Sequence, residues 1–317
     1  MNNTKKFGPI ILTIISLGII AGFVYYLYKN ADRYRELLQL SAPSVIVLLG
    51  ISLLLPVFNG MINTYMFRSL GADLTQREGF LLAATSTLAN QLPLSGGMIT
   101  RALYLKNKYA LSYTKNFSSM LAIFFCTMAA YGALGLVILS YWFFIDHIHL
   151  VSILFIAFGL MAASIIVFWI PIDKIKLPEV LRKRLEQAIE GWILISKNPV
   201  LLVRILSLQT ITMLLLAARY WLAFHMLSQN VSVSQVILFA SASVLTQLVS
   251  ILPGGLGVRE AIVGGLATAL GFDPGTSVVA VGLDRLVATI AVIVVGWVST
   301  ILLGREITKS NVETSTP

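Results

Sequence analysis

Residues 90–101 read NQLPLSGGMITR, and residues 250–260 read SILPGGLGVRE. Each stretch places Leu-Pro and several glycines inside long apolar sequence, and an arginine follows within a few positions. Proline interrupts a helix, and backbone groups freed inside lipid need partners from surrounding protein or water. A pair of broken segments at corresponding places in two halves of a chain is typical of the central site of a membrane transporter.

The composition places these two stretches in a membrane protein. The chain has 317 residues, of which 57% are hydrophobic and only 12% are charged. A soluble domain carries roughly 25% charged residues. We therefore predict an all-α polytopic membrane protein in which residues 1–317 form a single transmembrane domain. The net charge of +9 comes from Lys and Arg between apolar spans, which indicates topology and attraction to anionic lipid rather than nucleic-acid binding.

Charge placement divides the apolar stretches into six full spans and two re-entrant helical hairpins. The interval 101–115 carries four basic and no acidic residues. If 79–100 crossed the membrane, this interval would lie outside, against the positive-inside rule. We therefore predict that 79–100 enters and returns on the same side, and that 235–270 does so from the other side. The predicted full spans are 9–28, 43–67, 116–143, 150–171, 200–227 and 276–303.

The N-terminus, the interval 172–198 and the C-terminal end are predicted to lie on the cytoplasmic side, whereas the intervals 29–36, 228–234 and 271–275 are predicted to lie outside. Lys5 and Lys6 precede the first span, which suggests a cytoplasmic N-terminus. Residues 172–198 are basic with apolar positions at helical spacing, which predicts an amphipathic cytoplasmic linker; a soluble connector helix is the alternative. The last span ends at the polar tail 305–317, which carries the basic residues Arg305 and Lys309, so both termini are predicted to be cytoplasmic.

The two hairpins belong to a predicted inverted repeat. The units cover about 43–143 and 199–303, with an offset of about 156–157 positions at their start and 160 at the Leu-Pro pairs. Because the first hairpin enters from inside and the second from outside, the units have opposite orientations in the membrane.

The hairpin tips predict an anion-binding site. Free amides at a helix N-terminus favour anions, glycine lets the backbone approach a ligand, and arginine binds phosphate or carboxylate with two hydrogen bonds. Simple packing relief in crowded helices is the alternative. The candidate substrate-binding residues at the two tips are Gly96, Gly97, Arg101, Pro253, Gly254, Gly255, Gly257 and Arg259.

Four further charged residues fall within apolar sequence, namely Arg219, Glu260, Asp284 and Arg285. Charges inside a membrane protein are costly and are candidates for function by default. Glu260 is expected to pair with Arg219 or Arg285, and Asp284 with Arg259. The alternative is an ion-pair network that only holds the hairpins together. We find no catalytic constellation, and we expect no metal and no cofactor.

These residues resemble the transmembrane, flippase-like region of the lysylphosphatidylglycerol synthases. The similarity covers about residues 8–305, and its most specific part is LPGGLGVREAIVGG at 252–265, followed by Asp284-Arg285. The first half matches through Leu92-Pro93, Gly96-Gly97 and Arg101. The resemblance implies a prokaryotic plasma-membrane protein that handles lipid, as a stand-alone member of the family.

Two departures from that family bear on function. Members often have an acidic-Arg pair in the span after the first hairpin, whereas Phe124-Phe125-Cys126 stands in the corresponding region here. The soluble aminoacyl-transfer domain would follow the membrane region, and this chain ends at Pro317. We therefore expect unequal halves and no lysyl transfer.

Three functions remain open from the sequence. The first is a flippase-like protein for an anionic phospholipid or a polyprenyl-phosphate-linked intermediate. The second is an ion-coupled organic-anion transporter in which Glu260 and Asp284 are the coupling groups. The third is a non-transporting membrane partner of an envelope glycosyltransferase or synthase.

Overall fold

A computed structural model describes residues 41–91, 96–145, 152–169, 197–249 and 257–313. All regular secondary structure in these ranges is helical, which confirms the all-α class. The α-helices are α1 (Ala42–Ser69), α2 (Gln76–Ala89), α3 (Gly96–Tyr109), α4 (Tyr113–Phe144), α5 (Ser152–Ala163), α6 (Pro199–Met226), α7 (Val233–Ser243), α8 (Val258–Ala269) and α9 (Pro274–Glu313). Short 3₁₀ helices extend α5 (Ser164–Trp169) and α7 (Val244–Val249).

Four of these helices are long and apolar enough to cross a membrane. They are α1, α4, α6 and residues 274–305 of α9, with 28 to 32 residues each. A span needs about 20 residues, so the chain is a multi-pass integral membrane protein. Each of the four coincides with a predicted span. The predicted span 9–28 and most of the predicted linker 172–198 lie outside the described residues.

The predicted span at 150–171 differs from the other four. Its α-helical part, α5, has only 12 residues and continues as a six-residue 3₁₀ helix. The 3₁₀ helix rises more steeply per residue, so the two pieces together would reach about 30 Å if collinear. Crossing at this segment therefore remains a prediction.

The predicted polar tail at 305–317 is helical for most of its length, because α9 continues to Glu313. No proline or glycine lies between Gly304 and Pro317 to end the helix earlier.

Two pairs of short helices flank the sequence breaks. The first pair, α2 and α3, has 14 residues in each helix, and the second pair, α7 and α8, has 11 and 12. The members of each pair pack against each other. Each helix is about 17–21 Å long, which is less than the roughly 30 Å of a bilayer core. The loops that join the members, 92–95 and 250–256, lie outside the described residues.

The ends of the helices repeat at an offset of 157 positions. Helices α1 and α6 both have 28 residues, and capping side chains at Ser41 and Asn198 precede them. Both end in the same pattern of backbone hydrogen bonds, with a positive φ of 89° at Gly71 and 58° at Ser228. The following helices start with capping boxes whose acceptors Thr75 and Ser232 are again 157 positions apart.

Beyond the breaks the offset becomes 161. Helix α3 is followed by Ala110 at φ 53°, and α8 by Gly271 at φ 89°. The next helices are capped by Ser112, which accepts from the Lys115 amide, and by Asp273, which accepts from the Thr276 amide. The extra residues of the second unit therefore lie between its capping box and the end of α8.

The corresponding helices α1 and α6 run antiparallel. Val45 and Leu48 near the start of α1 pack with Leu222 and Met226 near the end of α6. At the other end of the pair, Ile62 and Met66 of α1 pack with Leu201 and Ile205 of α6. In an inverted repeat, corresponding helices of the two units run in opposite directions, as α1 and α6 do.

Helices α1 and α2 make close backbone contact at glycines. A Cβ on Gly79 would overlap Thr64 Oγ1 and the Gly60 carbonyl oxygen. A Cβ on Gly60 would lie 2.6 Å from the Phe80 Cα. Small residues permit such approach in membrane proteins, where packing rather than the hydrophobic effect holds helices together.

Candidate functional site

A buried ion pair joins α6 to α9. Arg219 Nε lies 2.8 Å from Asp284 Oδ1, and Arg219 Nη2 lies 2.9 Å from Asp284 Oδ2. Arg219 Nη2 also donates to the Asp284 carbonyl oxygen at 3.3 Å. The side chains are 3% and 0% exposed. A two-pronged contact of this kind satisfies both carboxylate oxygens and fixes the rotation of the two helices relative to each other.

A second pair links α9 to the start of α8. Arg285 Nη1 lies 3.0 Å from Glu260 Oε1, and Glu260 Oε2 accepts from the Gly257 amide at 2.9 Å. Glu260 therefore pairs with Arg285 and also accepts from the backbone amide of Gly257, the N-cap of α8. Gly257 has φ 80°, a backbone conformation that favours glycine.

The pairing of charges differs in part from the prediction. Glu260 pairs with Arg285, one of its two expected partners. The predicted pairing of Asp284 with Arg259 is wrong, because Arg219 engages both Asp284 oxygens. Neighbouring residues 284 and 285 thus point to different helices, one to α6 and the other to α8.

Arg259 is the third arginine of this cluster and has a different environment. It lies within electrostatic range of Tyr220, Asp284, Glu260 and Tyr131. Among the described residues it makes no hydrogen bond and no ion pair. The two carboxylates are already paired, so the cluster of three arginines and two acids carries one positive charge in excess. This half-buried excess charge can be neutralised by an anion.

Two buried tyrosines add hydroxyl groups near Arg259, and sequence reasoning did not identify them. Tyr220 of α6 is fully buried, and its hydroxyl has no hydrogen-bond partner in the part of the chain that the structure describes. The Ser243 hydroxyl lies close to it, outside hydrogen-bond geometry. Tyr131 of α4 is 7% exposed. Tyrosine is common in spans, so no sequence signal separates these two from packing residues.

The first break has a different local structure. The Gly97 amide donates to Asn90 Oδ1 at 3.0 Å, and a Cβ on Gly97 would overlap the Ser86 carbonyl oxygen. A Cβ on Gly96 would likewise overlap the Ala89 carbonyl oxygen. These glycines therefore let α3 start directly against the end of α2.

Arg101 is one turn further along α3. Its Nε is buried and makes no hydrogen bond within the described ranges. At the offset of 161, Arg101 corresponds to Ile262, and Arg259 corresponds to Met98. The two arginines that looked alike in the sequence are thus unrelated by the repeat.

The charged cluster belongs to the second half alone. The offsets of 157 and 161 relate Arg219, Glu260, Asp284 and Arg285 to Ile62, Ile99, Ile123 and Phe124. All four positions of the first half are apolar. Pro253, Gly254 and Gly255 lie outside the described residues, so their role at the tip stays a prediction.

A separate buried carboxylate fastens the first pair of short helices. Glu78 of α2 accepts from the Thr75 amide at 2.9 Å, from the Tyr104 and Tyr109 hydroxyls at 3.0 and 2.9 Å, and pairs with Lys108. Burial raises the pKa of Glu78, but the hydrogen bonds from Lys108, Thr75 and Tyr109 outweigh it and lower the pKa to about 2. Glu78 therefore ties the start of α2 to the end of α3.

No group of three His, Cys, Asp or Glu side chains within the described ranges is placed to hold a metal ion. The fold and the cluster define a class: an all-α, multi-pass membrane protein with a group of charged side chains, three arginines and two acids, among its helices.

The chain belongs to the family described as the lysylphosphatidylglycerol synthase TM region, whose family model matches residues 13–296. This match confirms the resemblance seen in the sequence. No curated protein and no solved structure matches the chain.

Proposed function

We propose that this chain is a flippase-like membrane protein that translocates or handles an anionic phospholipid or a lipid-linked phosphate intermediate. Arg259 is the main anion-binding group in this proposal. The observation that carries it is the excess positive charge at Arg259, which has no ion-pair partner among the described residues because the two neighbouring carboxylates already pair with other arginines.

The chemistry favours a phosphate as the neutralising group. A guanidinium binds two phosphate oxygens at once, and it stays charged even when buried. The buried Tyr220 hydroxyl provides an additional hydrogen-bond donor close to Arg259. Pro253, Gly254, Gly255 and the first-half group Gly96, Gly97 and Arg101 are secondary parts of the proposed path.

The proposed topology has six full spans and two re-entrant hairpins related as an inverted repeat. Support comes from the half-length helix pairs, the antiparallel α1 and α6, and the repeated caps. Broken helices that meet near the middle of the membrane form the substrate sites of many transporters. We place the protein in the plasma membrane of a prokaryote with both termini in the cytoplasm.

The ion pairs argue against the alternative of an ion-coupled organic-anion carrier. In that alternative Glu260 and Asp284 take up and release the coupling ion. Both already pair with an arginine. Protonating Asp284 would leave the buried Arg219 uncompensated, which costs several kcal/mol, and protonating Glu260 would do the same to the partly buried Arg285. In the alternative of a membrane partner for an envelope enzyme, the basic linker 172–198 would be the docking surface, and it lies largely outside the described residues. The matching family describes a membrane region, and we propose no enzymatic activity.

Lipid redistribution in reconstituted vesicles tests the proposal. Fluorescent phosphatidylglycerol in the inner leaflet is protected from a membrane-impermeant quencher, and a flippase-like protein exposes it. We expect Arg259→Gln to slow exposure at least tenfold, because removing one partner of a buried charge contact costs about 2–5 kcal/mol. Arg259→Lys should retain part of the rate.

Met98→Gln is the matched control, since residue 98 corresponds to residue 259 in the first half and has no charge to lose. It should leave the exposure rate within about twofold of the native protein. A native rate equal to that of empty vesicles would reject the proposed function.

A further inference from the structure

A basic groove lies where the end of α1 meets the start of α6. Its lining includes Tyr65, Arg68 and Ser69 from α1 and Asn198, Leu201 and Arg204 from α6. Because both helices are long enough to span the membrane, their ends place the groove at the membrane–water interface. The groove shares no lining residue with the cluster around Arg259. We infer that it is a binding site for the phosphate of an anionic lipid headgroup, a role independent of the proposed translocation.

The two arginines are held by contacts that leave donors for a ligand. Arg68 Nε donates to the Leu74 carbonyl oxygen at 2.6 Å, which uses one of its five N–H groups. Asp73 lies 4.0 Å from Arg68 Nε and is fully exposed, so this ion pair is weak. The Arg204 guanidinium stacks over the Tyr65 ring at 5.5 Å and makes no ion pair within the described ranges.

The neighbouring polar groups suit a phosphate as well. Asn198 Oδ1 accepts from the Leu201 amide at 3.0 Å, so its amide nitrogen remains as a donor. Asn198 caps α6, whose N-terminus carries a partial positive charge. Val200 on the same rim is 57% exposed, which supplies an apolar surface beside the charges, as a lipid requires.

The repeat provides an internal comparison. At the offset of 157, Tyr65, Arg68 and Arg204 correspond to Leu222, His225 and Val47, at the opposite end of the same two helices. The packing of α1 on α6 is thus repeated at both ends, whereas the arginines occur at one end only. Packing does not require them, and the end that has them is the one predicted to face the anionic cytoplasmic leaflet.

Calorimetric titration of the full chain in detergent tests the site. The probe is dioctanoyl phosphatidylglycerol, compared with dioctanoyl phosphatidylcholine and with inorganic phosphate. All titrations use the Arg259→Gln background, so that the proposed central site does not contribute and the two proposals fail separately. The test variants are Arg68→Gln, Arg204→Gln and their combination.

Each basic residue near an anionic lipid contributes about fivefold in affinity, equivalent to about 1 kcal/mol. We expect each single variant to weaken phosphatidylglycerol binding about fivefold and the double variant roughly 25-fold. Lysine at both positions should restore most of the affinity. The matched control Val47→Gln with His225→Gln, at the other end of the helices, should change it less than twofold.

Three results would overturn the assignment. They are equal binding of phosphatidylcholine, an unchanged affinity in the double variant, and inorganic phosphate that binds as tightly as the lipid and displaces it. If the double variant does not fold, the exposed Arg204→Gln decides alone: an affinity within twofold of the parent rejects the site.

Discussion

The buried Arg219–Asp284 pair gives a sharp prediction about stability. Removing one partner of a buried ion pair typically costs about 3–5 kcal/mol, because the other charge stays buried without compensation. Asp284→Ile should lie at the upper end of this range, since the Arg219 guanidinium cannot lose its proton. Arg219→Ile should lie at the lower end, because a carboxyl can take up a proton and become neutral.

The double variant should recover most of this loss. The first half of the chain has isoleucine at both related positions, Ile62 and Ile123, which lie in one apolar cluster. Replacing a whole buried pair by apolar residues is often close to neutral. We therefore expect Arg219→Ile with Asp284→Ile to cost about 1 kcal/mol, which implies a coupling energy of about 5 kcal/mol or more between the two sites.

Reversible unfolding in mixed detergent micelles, followed by circular dichroism, measures the four corners of this double-mutant cycle. Leu286→Ala is the control, since its 61% exposed side chain should cost less than about 1 kcal/mol. If the double variant loses about as much stability as the two single variants together, the two charges do not stabilise each other and the argument is refuted.

Three further predictions concern the first half of the chain and the topology. Gly79→Val should destabilise the α1–α2 contact by about 2 kcal/mol or more in the same unfolding assay, whereas Gly50→Val, with no atom near its Cβ, should have a much smaller effect. Glu78 has a pKa lowered to about 2, so its ionised carboxylate stabilises the fold above pH 4.5 by up to about 3 kcal/mol. This stabilisation is lost as the pH falls from 4.5 towards 2, and Glu78→Gln should make the free energy of unfolding less dependent on pH in that window. An unchanged pH dependence would contradict the assignment. Cysteines placed at Lys106 and Pro274, one at a time, should react with an impermeant thiol reagent from opposite sides of the membrane; labelling from the same side would break the inverted-repeat topology.

Patterns that depend on local sequence were predicted well. Four spans appear where apolar length required them, and the helices end beside both Leu-Pro breaks as expected. Glu260 pairing with Arg285 was among the expected outcomes. These features follow from residue spacing along one helix or from the length of an apolar run, which the sequence shows directly.

Relationships between helices were predicted less well. The predicted partner of Asp284 was wrong, and the repeat does not relate Arg101 to Arg259. The first depends on the rotation of helices and the second on residues inserted near the second break. A change of offset from 157 to 161 alters which side chains correspond, and it becomes visible only when helix caps fix the alignment.

The sequence by itself determined that this chain is a membrane protein of paired halves, with two broken helical segments and charges concentrated near the second. Its apolar lengths and helix-breaking residues suffice for that, since lipid permits few alternatives. Only the tertiary structure decided which arginine of the second-half cluster remains without an acid among the described residues. Whether a buried charge is neutralised depends on distances of about 3 Å between side chains on different helices, and α6, α8 and α9 acquire those distances only when they pack.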